Sequence, residues 1–522
     1  MKRSVAIILI VLISVAAIAL VAGIGKGAMT VIDNFGDIFG SADKPGEDAS
    51  GANGPDIPTE RETSFVYPET DYFPTPFETE PPITEGELKF DGLALTMLLP
   101  DNEPYRKEWG QKGAQDEIDE AVEMRNDDVL KELDIEILYK CVPEGADEFF
   151  ELALQDVLND EHNYDIAVND STTMARLAVR GALSDLRDVE SFPFLDLTQP
   201  CWSASATENL TVGGRLFFTT GFFSTTMLDN VPVIFLNATK YDKNRTNSDP
   251  ENLQVYANEG NWTYEDMYRM ISAFSASMPN DDVIIIDRDI SDNDILRSFA
   301  AAFEARAMRR YNNSWEYNLT SNSRAEAVLT RTRELYSIEG VTQNESTQKF
   351  AAGESLFLVT KLYKDFESNL AIREMEYKFG LMPLPKYNTA QEQYKAYSDG
   401  ASFIGALGQT HSIAVSAFLE KTAESSYGDS QILGYYFNRV VKPKYFGQDD
   451  QLGTVTHSIK AFDAIIYNIE FEFCNVYSSE LGGIGNIWGD AYAGDITLEQ
   501  AYNVRVEDYR RALDELNSRI VK

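Results

Sequence analysis

Cysteine and histidine are scarce in this chain of 522 residues: three of each, with only five tryptophans. Cys141, Cys201 and Cys474 lie far apart, so neither a disulfide framework nor a cysteine zinc site is expected. One bridge would leave one thiol over. His162, His411 and His457 are equally scattered, which leaves a His-based metal site or a Ser-His-Asp triad little to draw on. Basic residues are also short, 45 Lys and Arg against 84 Asp and Glu, for a net charge of −39. A body that acidic repels phosphate backbones, which argues against nucleic-acid binding. No Gly-x-x-x-x-Gly-Lys loop is present to cradle a nucleotide. No repeat of 20–50 residues recurs along the chain.

What is present begins at the head of the chain. Lys2 and Arg3 precede an uncharged apolar run, 4–24, long enough to span a bilayer core as a helix. Two readings follow, an uncleaved signal anchor and a signal cleaved near Val21-Ala22-Gly23. Either leaves the basic end in the cytoplasm and the rest outside. No cysteine stands near the run, so a lipid anchor is excluded. Residues 41–86 hold eight prolines, and eleven acids against Lys44 and Arg61. Such a stretch cannot bury enough apolar surface to offset its ordering entropy, and it reads as an extended stalk or a plain disordered linker.

The body from residue 88 is too long for one core and calls for two or more lobes. Strand patterns at 88–99, 135–141 and 164–168 alternate with helical ones at 115–133, 146–158 and 172–181, the signature of a parallel α/β sheet. Gly213-Gly214 opens a hairpin-like segment running to Thr220, and 231–236 reads as a strand. Thr263 with Asp266 three residues on marks a helix start. Further helices are expected at 297–310, 323–336, 412–421, 431–440, 459–473 and 498–520. Strands are expected near 356–359 and 379–385, the latter ended by prolines.

Several blocks occur in an order that resembles the extracellular solute-binding proteins of family 1, the capture components of carbohydrate ABC importers, and in particular a large clostridial subgroup. They are AQDEIDEAVEMRNDDVLKELDIEILYK (114–140), YDIAVNDSTTMARLAVRGALSDL (164–186), LDLTQPCWSASATENLTVGGRLFFTTGFFS (195–224), the 233–274 block with its Asn turn and Trp-Thr helix start, and 350–387 ending GLMPLPKY. The resemblance implies a two-lobed α/β fold of the periplasmic-binding-protein type (type II), with hinge segments crossing between lobes. It sets lobe one at 88–232 with 396–440, lobe two at 233–395, and 441–522 as helices packing on lobe two and the hinge. Ahead of them come a membrane helix, 1–26, and a disordered linker, 27–87. The family's lipid-modified cysteine is missing, and a doubled tryptophan of related sequences is Cys201-Trp202 here.

The resemblance implies that the chain captures a sugar or oligosaccharide by hinge closure and delivers it to a membrane permease, without catalysis and without a metal or cofactor. The expected place is the extracellular face of the membrane, held by the N-terminal helix, or secreted if the signal is cleaved. Alternatives are a sensory module coupled to a receptor or kinase and, third, a glycoside hydrolase, for which no carboxylate pair stands out. A sugar site needs flat apolar faces and polar planar groups. Asp170 and Ser171 follow a strand at its carboxyl end, where open α/β sheets bind ligands; Asp170 reads equally as a helix cap. Thr220 and Ser224 lie in the second matching loop, as ligand contacts or turn formers. Trp109, Tyr363 and Trp488 are the candidate stacking aromatics, with Trp488 beside the glycine-rich stretch 482–485. Trp202 and Trp262 read as packing residues, and Trp315 as either. Asp287, Asp289, Asp292 and Asp294 lack the glycine and closing glutamate of a calcium loop and read as a solvated turn.

Overall fold

The computed structural model describes residues 88–520, except 111–112, 115, 144–146, 280, 312–313, 345–346, 428–430 and 443–453. The expected membrane helix and linker lie outside the described residues. Among those described, no helix is long and apolar enough to cross a membrane.

Two separate sheets organise the body. The first orders its strands as Phe403–Ala406, Ile166–Asn169, Leu93–Asp101, Ile135–Pro143. The last three run parallel, and Phe403–Ala406 returns antiparallel against Ile166–Asn169. The apolar runs explain the layering. Ile166, Ala167 and Val168 are fully buried, as expected of a strand covered on both faces. The edge strand Ile135–Pro143 instead alternates, burying Ile135 and Ile137 and exposing Glu136 and Leu138. Helices Glu117–Leu133, Glu148–Leu158 and Ser171–Val179 pack on this sheet.

The second sheet orders its strands as Phe379–Met382, Pro232–Asn237, Ser355–Lys361, Asp282–Asp287, Val341–Asn344. Asp282–Asp287 is parallel to both its neighbours, and the remaining pairs are antiparallel. Val283 to Ile286 form one of the driest stretches of the chain. Each such side chain contributes about 1.5–3 kcal/mol of burial. Helix Tyr264–Ser277 covers one face and starts with the anticipated capping box between Thr263 and Asp266.

The chain passes between the sheets more than once. Strand Pro232–Asn237 enters the second sheet, and Phe403–Ala406 returns to the first. Residues 396–397 pair in parallel with 469–470 on the way. Helix Ser412–Ser425 packs on Glu117–Leu133 of the first lobe, while Thr454–Ile466 packs on Phe379–Met382 of the second. The C-terminal stretch from Phe473 touches both, reaching helix Ser171–Val179 on one side and helices Asp292–Ala302 and Ser323–Tyr336 on the other.

Some local expectations change. The first strand, expected at 88–99, starts at Leu93 and runs on through Pro100, which stays in register opposite Val142, to Asp101. The segment after Gly213-Gly214 makes only isolated bridges, Val212 with Arg215 and Thr219 with Ile404. The helix expected at 297–310 starts earlier and stops at Ala302, because Met308–Tyr311 turns back on Ser314–Tyr317 as a hairpin. Strands Asp282–Asp287 and Val341–Asn344 were not anticipated. All three cysteines are free.

Candidate functional site

The carboxyl ends of strands from both sheets border cavities, those of the first sheet beside Asn102 and Asn169 and those of the second beside Asp287 and Lys361. Three cavities of about 400, 380 and 330 Å³ occupy this region. The largest is walled by Asp170, Ser171 and Thr172 of the first lobe, by Arg297 of the second, by 397–401 of the crossing chain, and by residues between Glu470 and Asn486. The second shares Asp170 and extends along the first lobe past Tyr105 and Arg176. The third sets Glu103 and Lys107 of the first lobe against Asp287, Lys361 and Lys364 of the second. Their sizes fall in the range of ordinary small-molecule sites.

The sequence candidates divide sharply. Asp170 and Ser171 reach the cleft. Asp170 is exposed, and it also caps helix Ser171–Val179 by accepting from the backbone of Thr172 and Thr173 at 2.8 and 3.1 Å. Both readings of this residue are therefore compatible. Tyr363 lines the third cavity and donates its hydroxyl to Asp116 Oδ2 at 3.1 Å, a bond from one lobe to the other.

The other four candidates are turned inward. Trp109 is buried in the first lobe, its ring 6.0 and 6.2 Å from those of Phe223 and Phe418. Trp488 is fully buried and donates Nε1 to the Ala325 carbonyl at 3.0 Å, so it anchors the late loop to a helix. Gly483 and Asn486 of that loop do line the largest cavity. Thr220 donates to the Ser402 carbonyl at 2.7 Å, and Ser224 caps the short helix Thr225–Asp229. Both are wholly enclosed. Trp202, Trp262 and Trp315 are buried too, so each of the five tryptophans is a packing residue. Trp202 donates Nε1 to Glu420 at 3.0 Å, and Trp315 stacks on Phe473 at 4.4 Å.

The aspartates at 287–294 have structural partners. Asp287 is buried and takes Lys364 Nζ at 2.9 Å and the Thr360 hydroxyl at 3.0 Å. Asp289 shares the same lysine at 2.8 Å. Asp294 closes a capping box with Ser291. No cluster of metal-ligating groups occurs among the described residues.

Sequence reasoning passed over Arg297, Tyr397, Asp399 and Glu470. Arg297 projects from helix Asp292–Ala302. Its guanidinium donates to Asn486 Oδ1 at 2.8 Å, to Tyr397 Oη at 3.2 Å and to the Gly485 carbonyl at 3.4 Å. Glu470 pairs with Lys395 at 2.8 Å and Arg306 at 3.1 Å, and these cations hold its carboxyl below the usual range despite its burial. Glu472 accepts from the backbone of Ala307, and burial pushes it up to about 7. Asp399 lies 3.8 Å from Lys361. These residues carry no motif, because they converge from three separated stretches of chain.

Behind the cleft a buried network joins the crossing segments. Glu108 accepts from the backbone and hydroxyl of Thr226, each at 3.3 Å, and burial raises its pKa. Arg125 sits beside it, donating to the Glu108 and Phe223 carbonyls. Asp229 accepts the Tyr436 hydroxyl at 2.6 Å, and burial pushes its carboxyl up to about 7.

The architecture is similar to that of the sugar-binding protein MalE from the phytopathogen Xanthomonas citri, with a TM-score of 0.53 and 12% identity over 82% of this chain and 98% of that one. The galacto-N-biose/lacto-N-biose I-binding protein of an ABC transporter from Bifidobacterium longum superposes with a TM-score of 0.48 at 11% identity, covering 83% of this chain and 96% of that one. Maltose-bound MalE3 of T. maritima gives 0.46 at 15% identity, over 82% and 100%. The first likeness establishes the two-lobed α/β binding-protein fold. No family model matches the chain, and no curated protein matches it.

Proposed function

We propose that this chain is the extracellular capture component of a carbohydrate importer. Its two lobes, about 88–232 with 396–440 and about 233–395, close on a sugar or oligosaccharide and present it to a membrane permease. The observation that carries this reading is a cavity of about 400 Å³ walled by both lobes, by Asp170 and Ser171 of one and Arg297 of the other, and by the crossing chain at 397–401. The likeness to a sugar-binding protein supports it. Asp170, Ser171 and Tyr363 are the sequence candidates that fit as ligand contacts. The acids around the largest cavity have structural partners, which favours binding over bond cleavage. The apolar head, Ser4 to Ile24, would hold the protein at the outer membrane face.

Thermal-shift measurement against a glycan library, followed by calorimetry, tests the reading. A bound glycan should raise the melting temperature by mass action. Small-angle scattering should register a more compact body with ligand present. No response to a broad panel would end the proposal. The absence of a lipid-modified cysteine keeps a sensory role as the second reading, and co-purification with a permease or with a receptor separates the two.

A further inference from the structure

We infer that the guest of this cleft carries a carboxylate, and that Arg297 is the residue that selects it. The inference rests on the saccharide reading above and narrows it to acidic saccharides.

The argument is one of charge compensation inside the largest cavity. Each carboxylate on its wall has a local partner. Glu470 has Lys395 and Arg306. Asp399 has Lys361. Asp170 accepts two backbone N–H groups at the positive end of helix Ser171–Val179. Glu472 is buried against the Ala307 and Met308 amides, with its pKa near neutrality. Arg297 differs. Among the described residues its guanidinium meets only neutral acceptors: the Asn486 amide oxygen, the Tyr397 hydroxyl and the Gly485 carbonyl. Two acids act on it through space: Asp294, one turn back and engaged with Ser291, and Asp399 of the crossing chain. Its Nε is enclosed and takes no hydrogen bond.

Three neutral acceptors from two chain segments fix the orientation of the guanidinium and take both hydrogens of Nη2 and one of Nη1, which leaves one Nη1 N–H for a guest. A carboxylate oxygen matches that charged donor in sign. The acidic outer surface opposes such a guest only over distance, and physiological salt screens that repulsion beyond about 8 Å.

The test compares trigalacturonate, an acidic trisaccharide, with neutral maltotriose and cellotriose. Thermal shift and calorimetry are run on wild type, Arg297→Met and Asn486→Asp. The second variant keeps the arginine and supplies it with a carboxylate. Trigalacturonate should bind wild type more tightly than the neutral sugars do. Both variants should lose about tenfold or more for it, and Arg297→Lys should recover part of the loss. Unliganded melting curves check that each variant folds; if Arg297→Met does not, Asn486→Asp decides. Neutral trisaccharides binding wild type at least as well as the acidic one would overturn the inference and leave the saccharide reading standing. So would variants that bind all three sugars as wild type does. No response to any of them, or to the wider library, would end both.

Discussion

The amide of Asn230 stands where a side chain on residue 400 would have to go: a Cβ built on Gly400 lies 2.0 Å from Asn230 Nδ2. The amide is not free to swing away. Nδ2 donates to the Thr226 carbonyl at 2.9 Å, and Oδ1 accepts from Lys361 Nζ at 2.7 Å. Three crossing stretches of chain therefore meet at one asparagine. Gly400→Ala should displace it, break both bonds and cost about 1–3 kcal/mol, the usual cost of overpacking. Denaturant unfolding reads the loss. An unchanged midpoint would mean that the clasp yields without strain.

Buried acids give the second prediction. Burial pushes Glu420 up to about 8, and Asp229 and Glu472 up to about 7. The folded chain thus holds protons that the unfolded chain has already released. Their contribution to stability is full below the ordinary carboxylate range and is lost as pH rises through 7 and 8. Between pH 5 and 8 the melting temperature should fall. Glu420→Gln should flatten part of that slope, raising stability at pH 8 and changing it little at pH 5. A profile rising toward pH 8 would contradict the assignment.

Lys364 tests the buried pair with Asp287. Lys364→Met leaves that carboxylate enclosed without its cation. Lys364 is itself partly exposed, so the loss should sit at the low end for a buried pair, about 3 kcal/mol. Adding Asp287→Asn should restore most of it. Chemical denaturation of the two variants gives the comparison.

Trp488 separates packing from ligand contact. Trp488→Ala removes a fully buried ring and its bond to Ala325, and should cost about 3–5 kcal/mol. Tyr363→Phe removes only the bond to Asp116, at about 0.5–1.5 kcal/mol, but alters the rim of the third cavity. Calorimetry with a bound glycan should show the larger effect for Tyr363→Phe, and melting curves the larger effect for Trp488→Ala.

Much of the architecture was legible in the amino-acid order. Period-two and period-3.6 apolar patterns give the first lobe's strands and helices to within about two residues, apart from the first strand, which starts at Leu93 and not at 88, and helices Ser323–Tyr336 and Leu498–Ile520 fall where expected. Such patterns record which face of an element is dry, and that is a local property. The strand Asp282–Asp287 was less legible because its apolar run is only four residues long and has an aspartate at each end. The site was less legible. Trp109 and Trp488 stand in polar or glycine-rich surroundings that read as exposed loops, yet their partners Phe418 and Ala325 come from distant stretches.

By itself, then, the sequence determined the acidic character, the apolar head, the alternation of strand and helix, and the placing of Asp170 at a strand's carboxyl end. Each follows from neighbours a few residues apart. Only the tertiary structure decided which aromatics face inward, that Asp287 is neutralised by Lys364, and that Arg297 meets Asn486 across 189 residues without a carboxylate. Those outcomes depend on the desolvation of charge by remote segments, and no local pattern encodes which remote segment will arrive.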